Sequence, residues 1–200
     1  MMPIRKATAA DAPQVAGTLT DAFLADPVFE HFLPKPAKRR RGIKRFFEQQ
    51  LRLVYLAKDN VYLTDDGGGA ALWAPPDQWR QSFLVSLRAL PNMISSSGIG
   101  HVPTIFAALT LLENNHKERE EPHWYLAFMG VTPAKQGNGY GGGLLDRMLE
   151  RCDDEGRPAY LEASSMRNRA LYHRHGFVDT GEIQLPRGGP TMWPMWRTPR

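Results

Sequence analysis

The chain has 200 residues, enough for one folded domain with a full hydrophobic core. Hydrophobic residues account for 42% and charged residues for 23% of the sequence, a balance that excludes a largely disordered chain. The formal net charge is +4, and the dense basic cluster at residues 38–45 contains no aromatic residue, so no nucleic-acid partner is predicted. The sequence shows no run of about 20 apolar residues and no apolar leader segment, and we therefore predict no membrane partner.

The chain contains one cysteine, Cys152, which excludes an internal disulfide bond and is typical of a reducing cytoplasm. We therefore predict a cytoplasmic protein. Cys152 falls at an apolar position of a helical pattern, where cysteine acts as a small hydrophobic residue rather than as a nucleophile. No spacing of histidine, cysteine and aspartate residues indicates a metal site, and no metal is predicted.

The N-terminal part of the chain predicts alternating strands and helices. Residues 4–7 predict a short strand, which is followed by a helix with an apolar stripe from Val15 to Phe23. A short helix is predicted after Asp26-Pro27, and a longer helix after the basic cluster. Two strands at 60–64 and 70–74 flank a turn of two aspartates and three glycines, a composition typical of a hairpin.

Residues 77–121 form the least regular part of the sequence. Apolar positions such as Leu87 and Leu90 predict one helix, and those from Ile105 to Leu112 predict another. We interpret this segment as a helical insertion between the third and fourth strands that walls a pocket.

The remainder of the chain alternates strands with helices more clearly. Strands are predicted at 123–131, 158–163, 177–183 and 191–196, a helix from Leu144 to Cys152, and a short helix at 168–175 that ends at Gly176. Strands connected by crossing helices predict an α/β or α+β sheet.

The turn at residues 136–143 joins a strand to a helix and is rich in glycine. Glycines let the backbone approach a ligand closely, and N–H groups at a helix start bind anions, so this turn predicts a phosphate or pyrophosphate site. The turn also matches the G-x-G-x-x-G dinucleotide-binding fingerprint, at Gly137, Gly139 and Gly142, with Glu162 about twenty residues further on. The rest of the chain is too short for the βα units of a dinucleotide fold, and no Lys-Ser/Thr follows the last glycine as in a Walker A loop.

Two motifs resemble the GNAT superfamily of N-acetyltransferases. Val131-x-Pro133 followed by Gln136-x-x-Gly139-x-Gly141 is similar to the family's acyl-CoA pyrophosphate loop, and Asn168 to Tyr172 followed by Gly176-Phe177 is similar to its second signature. Further segments resemble the puromycin N-acetyltransferase branch, namely Glu121-Pro122-x-Trp124, Leu161-Glu162-x-Ser164 and Trp193-x-Met195-x-Arg197. The resemblance implies a single GNAT-type domain over residues 1–200, with a mixed twisted sheet of six to seven strands and helices on both faces. It also implies acetyl-CoA as the cosubstrate.

The resemblance further implies a set of site residues. Those expected to hold acetyl-CoA are Met129, Gly130, Val131, Gln136, Gly137, Asn138, Gly139, Tyr140, Gly141, Gly142 and Asn168. Tyr172 is the expected general acid for the CoA thiolate, and backbone N–H groups from Met129 to Val131 are expected to polarise the thioester carbonyl. Glu162, the carboxylate of the strand at 158–163, is either the general base, directly or through a water, or a residue that only orients the substrate.

An acetyltransferase needs an acceptor, and the resemblance implies the primary amine of a small molecule, puromycin-like or another antibiotic or metabolite. Trp73 and Tyr125, near strand ends, are expected to stack on a ring or cation of this acceptor. His116 and His123 are interpreted as structural residues rather than proton relays. Two alternatives stay open, transfer to a protein N-terminus or lysine and a non-catalytic acyl-CoA-binding sensor. The expected assembly is a monomer or a homodimer.

Overall fold

A twisted sheet forms the centre of the protein, with eight strands in a computed structural model that describes residues 3–80 and 83–200. The strands are β1 Ile4–Lys6, β2 Val61–Thr64, β3 Gly69–Ala74, β4 Trp124–Val131, β5 Ala159–Ala163, β6 Val178–Asp179, β7 Ile183–Gln184 and β8 Thr191–Arg197. They lie in the order β1-β2-β3-β4-β5-β8-β6, and β7 pairs with β8. Every pair is antiparallel except β4 and β5, which run parallel.

Seven α-helices surround the sheet in the described part of the chain. They are α1 Ala12–Phe23, α2 Pro27–Phe32, α3 Pro36–Gln50, α4 Phe83–Ser97, α5 Val102–Lys117, α6 Tyr140–Asp154 and α7 Met166–Arg174. One face of the sheet packs on α1 and α3, which bury side chains such as Leu19 and Phe47. The other face packs on α6 and α7, through side chains such as Leu144 and Tyr172. The predicted mixed sheet with helices on both faces is confirmed.

The C-terminal edge of the sheet differs from the prediction, which gave six to seven strands in all. The strand predicted at 177–183 is instead two short strands, β6 and β7, and both pair with β8. Gly181 lies between them with a φ of +152°, a backbone conformation outside the range of a regular strand. The break at this glycine therefore adds one strand to the sheet.

The insertion predicted at 77–121 is helical, as α4 and α5, and its residues 81 and 82 lie outside the described residues. α4 packs against α3. α5 places Ala108 and Leu112 against side chains of α2, β7 and β8. The insertion therefore covers the outer surface of helices and strands that themselves lie closer to the centre of the protein.

Several large apolar side chains are exposed on α4, on α5 and in the turn between them. They include Leu87, Ile94, Ile99, Phe106 and Leu109. No single described helix is long and apolar enough to cross a membrane. The segments Leu87–Ser97 and Ile99–Lys117, bent by 119° at their junction, pass such a test of length and composition only when they are joined.

β4 contains a β-bulge at Ala127. Leu72 of β3 faces Phe128, whereas the next residue, Trp73, faces Leu126, so Ala127 is an extra residue in the ladder. A bulge interrupts the regular alternation of side chains between the two faces of a sheet. As a result Ala127 and Phe128 both face the core beneath α1 and α3, while Leu126 faces α6.

β4 and β5 are joined over a short distance only. They pair at Trp124–Ala159 and at Tyr125–Tyr160, and beyond these two pairs the strands part. The outer edges of both strands stay paired, β4 with β3 and β5 with β8. The sheet therefore contains a wedge-shaped gap, which is closed at the Tyr125–Tyr160 pair and opens toward the carboxyl ends of the two strands.

Gly130 allows α1 to pass close to β4. A Cβ atom at this position would lie 2.6 Å from the Cβ of Ala22 and 3.2 Å from the Cδ2 of the buried Leu19. We expect Gly130→Ala to lower the free energy of unfolding by about 1–3 kcal/mol, because a crowded core accommodates an added methyl group poorly. Urea denaturation measures this change.

Gly17 of α1 is the matched control, because no described atom lies within 4 Å of a Cβ there. We expect Gly17→Ala to raise the free energy of unfolding by up to about 1 kcal/mol through its higher helix propensity. Equal effects of the two substitutions would contradict the close contact between α1 and β4.

Candidate active site

A cavity of about 410 Å³ lies at the open end of the gap between β4 and β5. The end of β4, the glycine-rich turn and one side of α7 form its wall. All of the residues predicted to hold acetyl-CoA line it except Asn138, namely Met129, Gly130, Val131, Gln136, Gly137, Gly139, Tyr140, Gly141, Gly142 and Asn168. The structure therefore brings together residues from two separate sequence motifs.

Asn138, which was predicted to hold acetyl-CoA, does not line this cavity. Its side-chain amide donates to the carbonyl oxygen of Lys135 at 3.3 Å and to that of Gln136 at 3.2 Å. Asparagine side chains commonly hydrogen-bond nearby backbone in turns in this way. Asn138 therefore stabilises the shape of the turn.

Two glycines give the turn its conformation. Gly137 and Gly139 both have a φ of +81°, which disfavours residues with a side chain. No described atom lies within 4 Å of a Cβ at either position, so the backbone there is open to a ligand. Gly139 is the N-cap of α6, whose first turn borders the cavity and offers N–H groups without helical acceptors. These features fit the pyrophosphate of acetyl-CoA.

Two further glycines in this segment serve contacts between elements. A Cβ at Gly141 would lie 3.1 Å from Leu171 of α7, and one at Gly143 would lie 3.2 Å from Ile4 of β1. Glycine at these two positions lets α6 approach its neighbours closely. The interpretation of the turn as a ligand site thus rests on Gly137 and Gly139.

Three basic side chains of this cavity were not among the residues predicted from the sequence. Lys135, Arg167 and Arg174 line it. Arg167 donates to the Oε1 of Gln136 at 2.5 Å, and the Nε2 of Gln136 donates to the carbonyl oxygen of Val131 at 3.1 Å. Cationic side chains complement phosphate oxygens. In the sequence, these basic residues could have been identified by their position beside the two motifs.

A second cavity, of about 90 Å³, lies nearer the closed end of the gap. Its wall includes Phe23, Phe29, Phe128 and Glu162. Three residues line both cavities, namely Met129, Asn168 and Tyr172. The two cavities therefore adjoin at these side chains.

Glu162 of β5 lies in the smaller cavity. The phenol of Tyr125 donates to its Oε2 at 2.9 Å. Burial raises the pKa of Glu162 to about 7, and hydrogen bonds from Tyr125 and Tyr160 oppose this rise. A carboxyl with this pKa is largely available to accept a proton just above neutral pH.

Tyr172 of α7 lies where the two cavities adjoin. It is 6% exposed. Burial raises the pKa of Tyr172, and the negative charge of Asp26 raises it further. The phenol therefore stays protonated at neutral pH and is able to donate its proton.

Asp26 is a second carboxylate of the smaller cavity and was not among the site residues predicted from the sequence. Its Oδ1 accepts from the backbone N–H groups of Val28 at 3.0 Å and Phe29 at 3.2 Å, and so caps α2. Its Oδ2 accepts from the hydroxyl of Ser164 at 2.6 Å. Burial raises the pKa of Asp26. The helix cap is readable from the sequence, whereas the contact with Ser164 depends on the fold.

Neither Trp73 nor Tyr125, the residues predicted to stack on the acceptor, lines either of these two cavities. Trp73 is fully buried with the side chains of α6, on the face of the sheet opposite the smaller cavity. Tyr125 lies on the same face as Glu162, but it is the hydrogen-bond partner of that carboxylate. Neighbouring strand residues point to opposite faces, and the sequence does not reveal which face carries the site.

The predicted insertion also has a different position from the one expected. None of the described residues in 77–121 lines either cavity. The wall of the smaller cavity comes instead from residues of α1, α2, β4, β5, α7 and β8. The insertion packs behind this wall.

Cys152 is fully buried on the α6 side of the sheet. Burial raises the pKa of its thiol to about 12, which suppresses the thiolate at neutral pH. Its predicted role as a small hydrophobic residue is confirmed.

Comparison with known proteins identifies relatives over most of the chain. The sequence profile of the acetyltransferase (GNAT) family matches residues 71–177. An uncharacterised N-acetyltransferase of Schizosaccharomyces pombe is 32% identical over 196 residues, which cover 93% of this chain and 78% of that protein.

Solved structures agree with this result. Histone acetyltransferase HPA2 and related acetyltransferase from Corynebacterium glutamicum has a TM-score of 0.75 at 29% identity, covering 100% of this chain and 98% of its own. A Drosophila melanogaster polyamine N-acetyltransferase, which forms N-acetylagmatine, has a TM-score of 0.70 at 14% identity, covering 99% and 100%, and shows the shared fold. The chain belongs to the GNAT family and is an acetyl-CoA-dependent N-acetyltransferase.

Proposed function

We propose that this enzyme acetylates the primary amine of a small molecule with an apolar body and no acidic group. The observation that carries the proposal is the meeting of two cavities at Tyr172, one beside the glycine turn and one containing Glu162. The larger cavity suits acetyl-CoA, and the smaller one suits the acceptor.

Acetyl transfer requires the amine in its neutral form. An alkylamine with a pKa of about 10.4 costs roughly 4–5 kcal/mol to deprotonate at pH 7. The carboxylates of Asp26 and Glu162 favour entry of the amine as a cation. Glu162, with a pKa of about 7, accepts the amine proton as the N–C bond forms, directly or through a water.

Acetyl-CoA supplies the activated acetyl group and a thiolate leaving group. Tyr172 donates its phenolic proton to the sulfur as the C–S bond breaks. Backbone N–H groups between Met129 and Val131 polarise the thioester carbonyl, because this edge of β4 faces the gap rather than another strand. Asn168, where the cavities adjoin, holds the pantetheine arm by hydrogen bonding.

The chemistry of the smaller cavity restricts the acceptor. Aromatic side chains of Phe23, Phe29 and Phe128 offer an apolar surface to its body. Two carboxylates line this cavity, and none of the described residues that line it is lysine, arginine or histidine. A carboxylate on the acceptor would therefore be buried against like charges without a partner, which disfavours amino acids as acceptors.

The volume of the smaller cavity restricts the acceptor as well. A space of about 90 Å³ is far below the ~300–1,000 Å³ of pockets that hold drug-sized ligands. A puromycin-like acceptor, implied by the sequence resemblance, is therefore less well supported than a small amine. A protein lysine, which presents a slim alkylamine, stays as the alternative acceptor.

Phenethylamine and phenylalanine form a matched pair of acceptors, because they differ by one carboxylate. We expect thiol release from acetyl-CoA with phenethylamine, at a kcat/KM at least about 100-fold above that with phenylalanine, since like charges in a buried site cost several kcal/mol. Equal rates with both compounds would contradict the electrostatic restriction. Acetylation of a lysine-containing peptide with no reaction of either amine would select the protein alternative.

Removal of the proposed acid tests the role of Tyr172. We expect Tyr172→Phe to lower kcat by about 10²–10⁴-fold while the Kd for CoA, measured by calorimetry, stays unchanged. Tyr62→Phe is the matched control, because Tyr62 is a buried tyrosine of β2 that lines neither cavity. Equal kcat values for the two variants would exclude Tyr172 as the acid.

The raised pKa of Glu162 makes a prediction about stability. Because burial raises this pKa from its ordinary 4.5 to about 7, the folded protein binds the proton more readily than the unfolded chain, and stability falls as the pH rises through that interval. We expect Glu162→Gln to remove this loss, so that its effect on the free energy of unfolding is more favourable at pH 8 than at pH 4 by about 2–3 kcal/mol.

Urea denaturation at the two pH values measures the difference.

The pH profile of kcat/KM distinguishes a general base from a residue that only orients the substrate. If Glu162 is the base, the wild-type profile rises through a midpoint of about 7, and the rise is absent in Glu162→Gln. A residue that only orients the substrate would leave the rise in place.

A further inference from the structure

A buried cluster of aromatic and histidine side chains lies behind the acceptor cavity. His116 of α5 and His123 are 3% and 2% exposed, and their Nε2 atoms are 2.8 Å apart. Trp79 stacks on the ring of His116 with the ring centroids 3.8 Å apart. The His116 ring also meets Tyr125 and Tyr160, at centroid distances of 4.5 and 4.6 Å.

Hydrogen bonds fix the protons of the two histidine rings. The Nδ1 of His123 lies 2.6 Å from the carbonyl oxygen of Glu121, which only accepts, so this nitrogen carries a proton. Burial lowers the pKa of both rings, that of His116 to about 3, and both are therefore neutral. His123 then accepts at its Nε2, and His116 donates from its own Nε2.

This arrangement does not conduct protons away from the site. The donor chain ends at the carbonyl oxygen of Glu121, which cannot take up a proton. At its other end, the phenol of Tyr125 donates to Glu162 and not to His116. The pair instead connects the last turn of α5 to the residue that precedes β4.

Two tyrosines at the closed end of the gap contact the proposed base. The phenol of Tyr125 donates to the Oε2 of Glu162 at 2.9 Å, and the phenol of Tyr160 donates to the Oδ1 of Asn115. Both phenols lower the pKa of Glu162. The last turn of α5 also contacts Tyr160, because the Oδ1 of Asn115 lies 3.3 Å from its phenol and the guanidinium of Arg119 lies 6.0 Å from its ring centroid. α5 therefore contacts the two tyrosines beside Glu162 but not Glu162 itself.

We propose that His116 is a positioning residue, which holds the two phenols at the closed end of the gap against Glu162. The inference rests on the proposed role of Glu162 as the base. Without His116 the phenols stabilise the Glu162 carboxylate less well. The pKa of Glu162 is then expected to rise, because burial raises it and the phenols lower it less. A helix of the insertion, which lines neither cavity, therefore sets the pH at which the base ionises.

The surrounding charges stay constant in the variants that test this proposal. Those that act on the two histidines are Arg80, Arg119, Asp77 and Glu121, and the ionisable groups that share the acceptor cavity with Glu162 are Asp26 and Tyr172. A change in the titration of Glu162 therefore reports the position of its two phenol partners.

The test follows the Glu162 carboxyl by carbon-13 NMR titration of the unliganded protein, with Glu162→Gln to identify the signal. His116→Phe keeps a ring but removes the donor, and we expect the midpoint of Glu162 to rise by about one pH unit. His116→Gln restores an N–H donor at a similar distance from the backbone but lacks the ring that meets the two phenols, and is expected to return the midpoint part of the way to the wild-type value. His101→Asn, before the other end of α5, is the control and leaves the midpoint unchanged.

Trp79→Leu is a second variant, which removes the ring stacked on His116. It is expected to shift the midpoint of Glu162 upward by less than His116→Phe does. In protein that carries Tyr125→Phe and Tyr160→Phe, His116→Phe is expected to cause no further shift. An unchanged midpoint in His116→Phe, or an equal shift without the two phenols, overturns the proposal. If His116→Phe does not fold, Trp79→Leu decides in the same way.

The same titration separates this inference from the proposed function. If no amine is acetylated, or if Glu162→Gln leaves the rate and its pH profile unchanged, the proposed function fails. The midpoint of Glu162 in the folded variants still shows whether His116 positions the phenols. Where the enzyme is active, the rise of kcat/KM with pH is expected to move with that midpoint.

Discussion

The site depends on the point at which β4 and β5 part. These two parallel strands are joined at Trp124–Ala159 and Tyr125–Tyr160, while β3 and β8 hold their outer edges. Beyond the second pair, the inner edges present backbone donors and acceptors that need other partners, and a bound ligand is able to supply them. Both cavities lie within this gap. The sheet thereby brings the larger and the smaller cavity together along one wedge, with helices α1 and α2 beside the smaller one.

Burial acts on the protonation of two ionisable side chains of the wedge, Glu162 and Tyr172. It raises the pKa of Glu162 from 4.5 and that of Tyr172 from 10.0, but only Glu162 then titrates near neutral pH. Tyr172 stays protonated, and the negative charge of Asp26 favours this state. One low-dielectric environment therefore yields a proton acceptor and a proton donor, because the two groups begin from different ordinary pKa values. The apolar wall lowers the solvation of both groups, so the fold and the acid–base chemistry have the same physical cause.

The lining of the larger cavity was largely predictable from the sequence, and that of the smaller cavity was not. The turn around Gly137 and Gly139 depends on local backbone conformation, which glycine spacing reveals. The smaller cavity is lined by residues of α1, α2, β4, β5, α7 and β8, many of which are distant in sequence. In the sequence, Asp26 therefore marks only the break before a short helix. The face toward which Trp73 and Tyr125 point depends on sheet register, and the bulge in β4 changes the alternation between faces in a way that no local pattern shows.

Binding of a bisubstrate compound tests most directly whether the two cavities form one continuous site. In this compound an acetyl bridge joins the nitrogen of phenethylamine to the sulfur of CoA. Calorimetry compares its Kd with that of CoA and with that of the same compound built from phenylalanine. If the cavities are continuous and the smaller one is apolar and acidic, the phenethylamine compound binds at least about tenfold more tightly than CoA, and the phenylalanine compound gains nothing. Equal affinity of all three ligands would show that the amine does not reach the cavity of Glu162, and would contradict the assignment of that cavity to the acceptor.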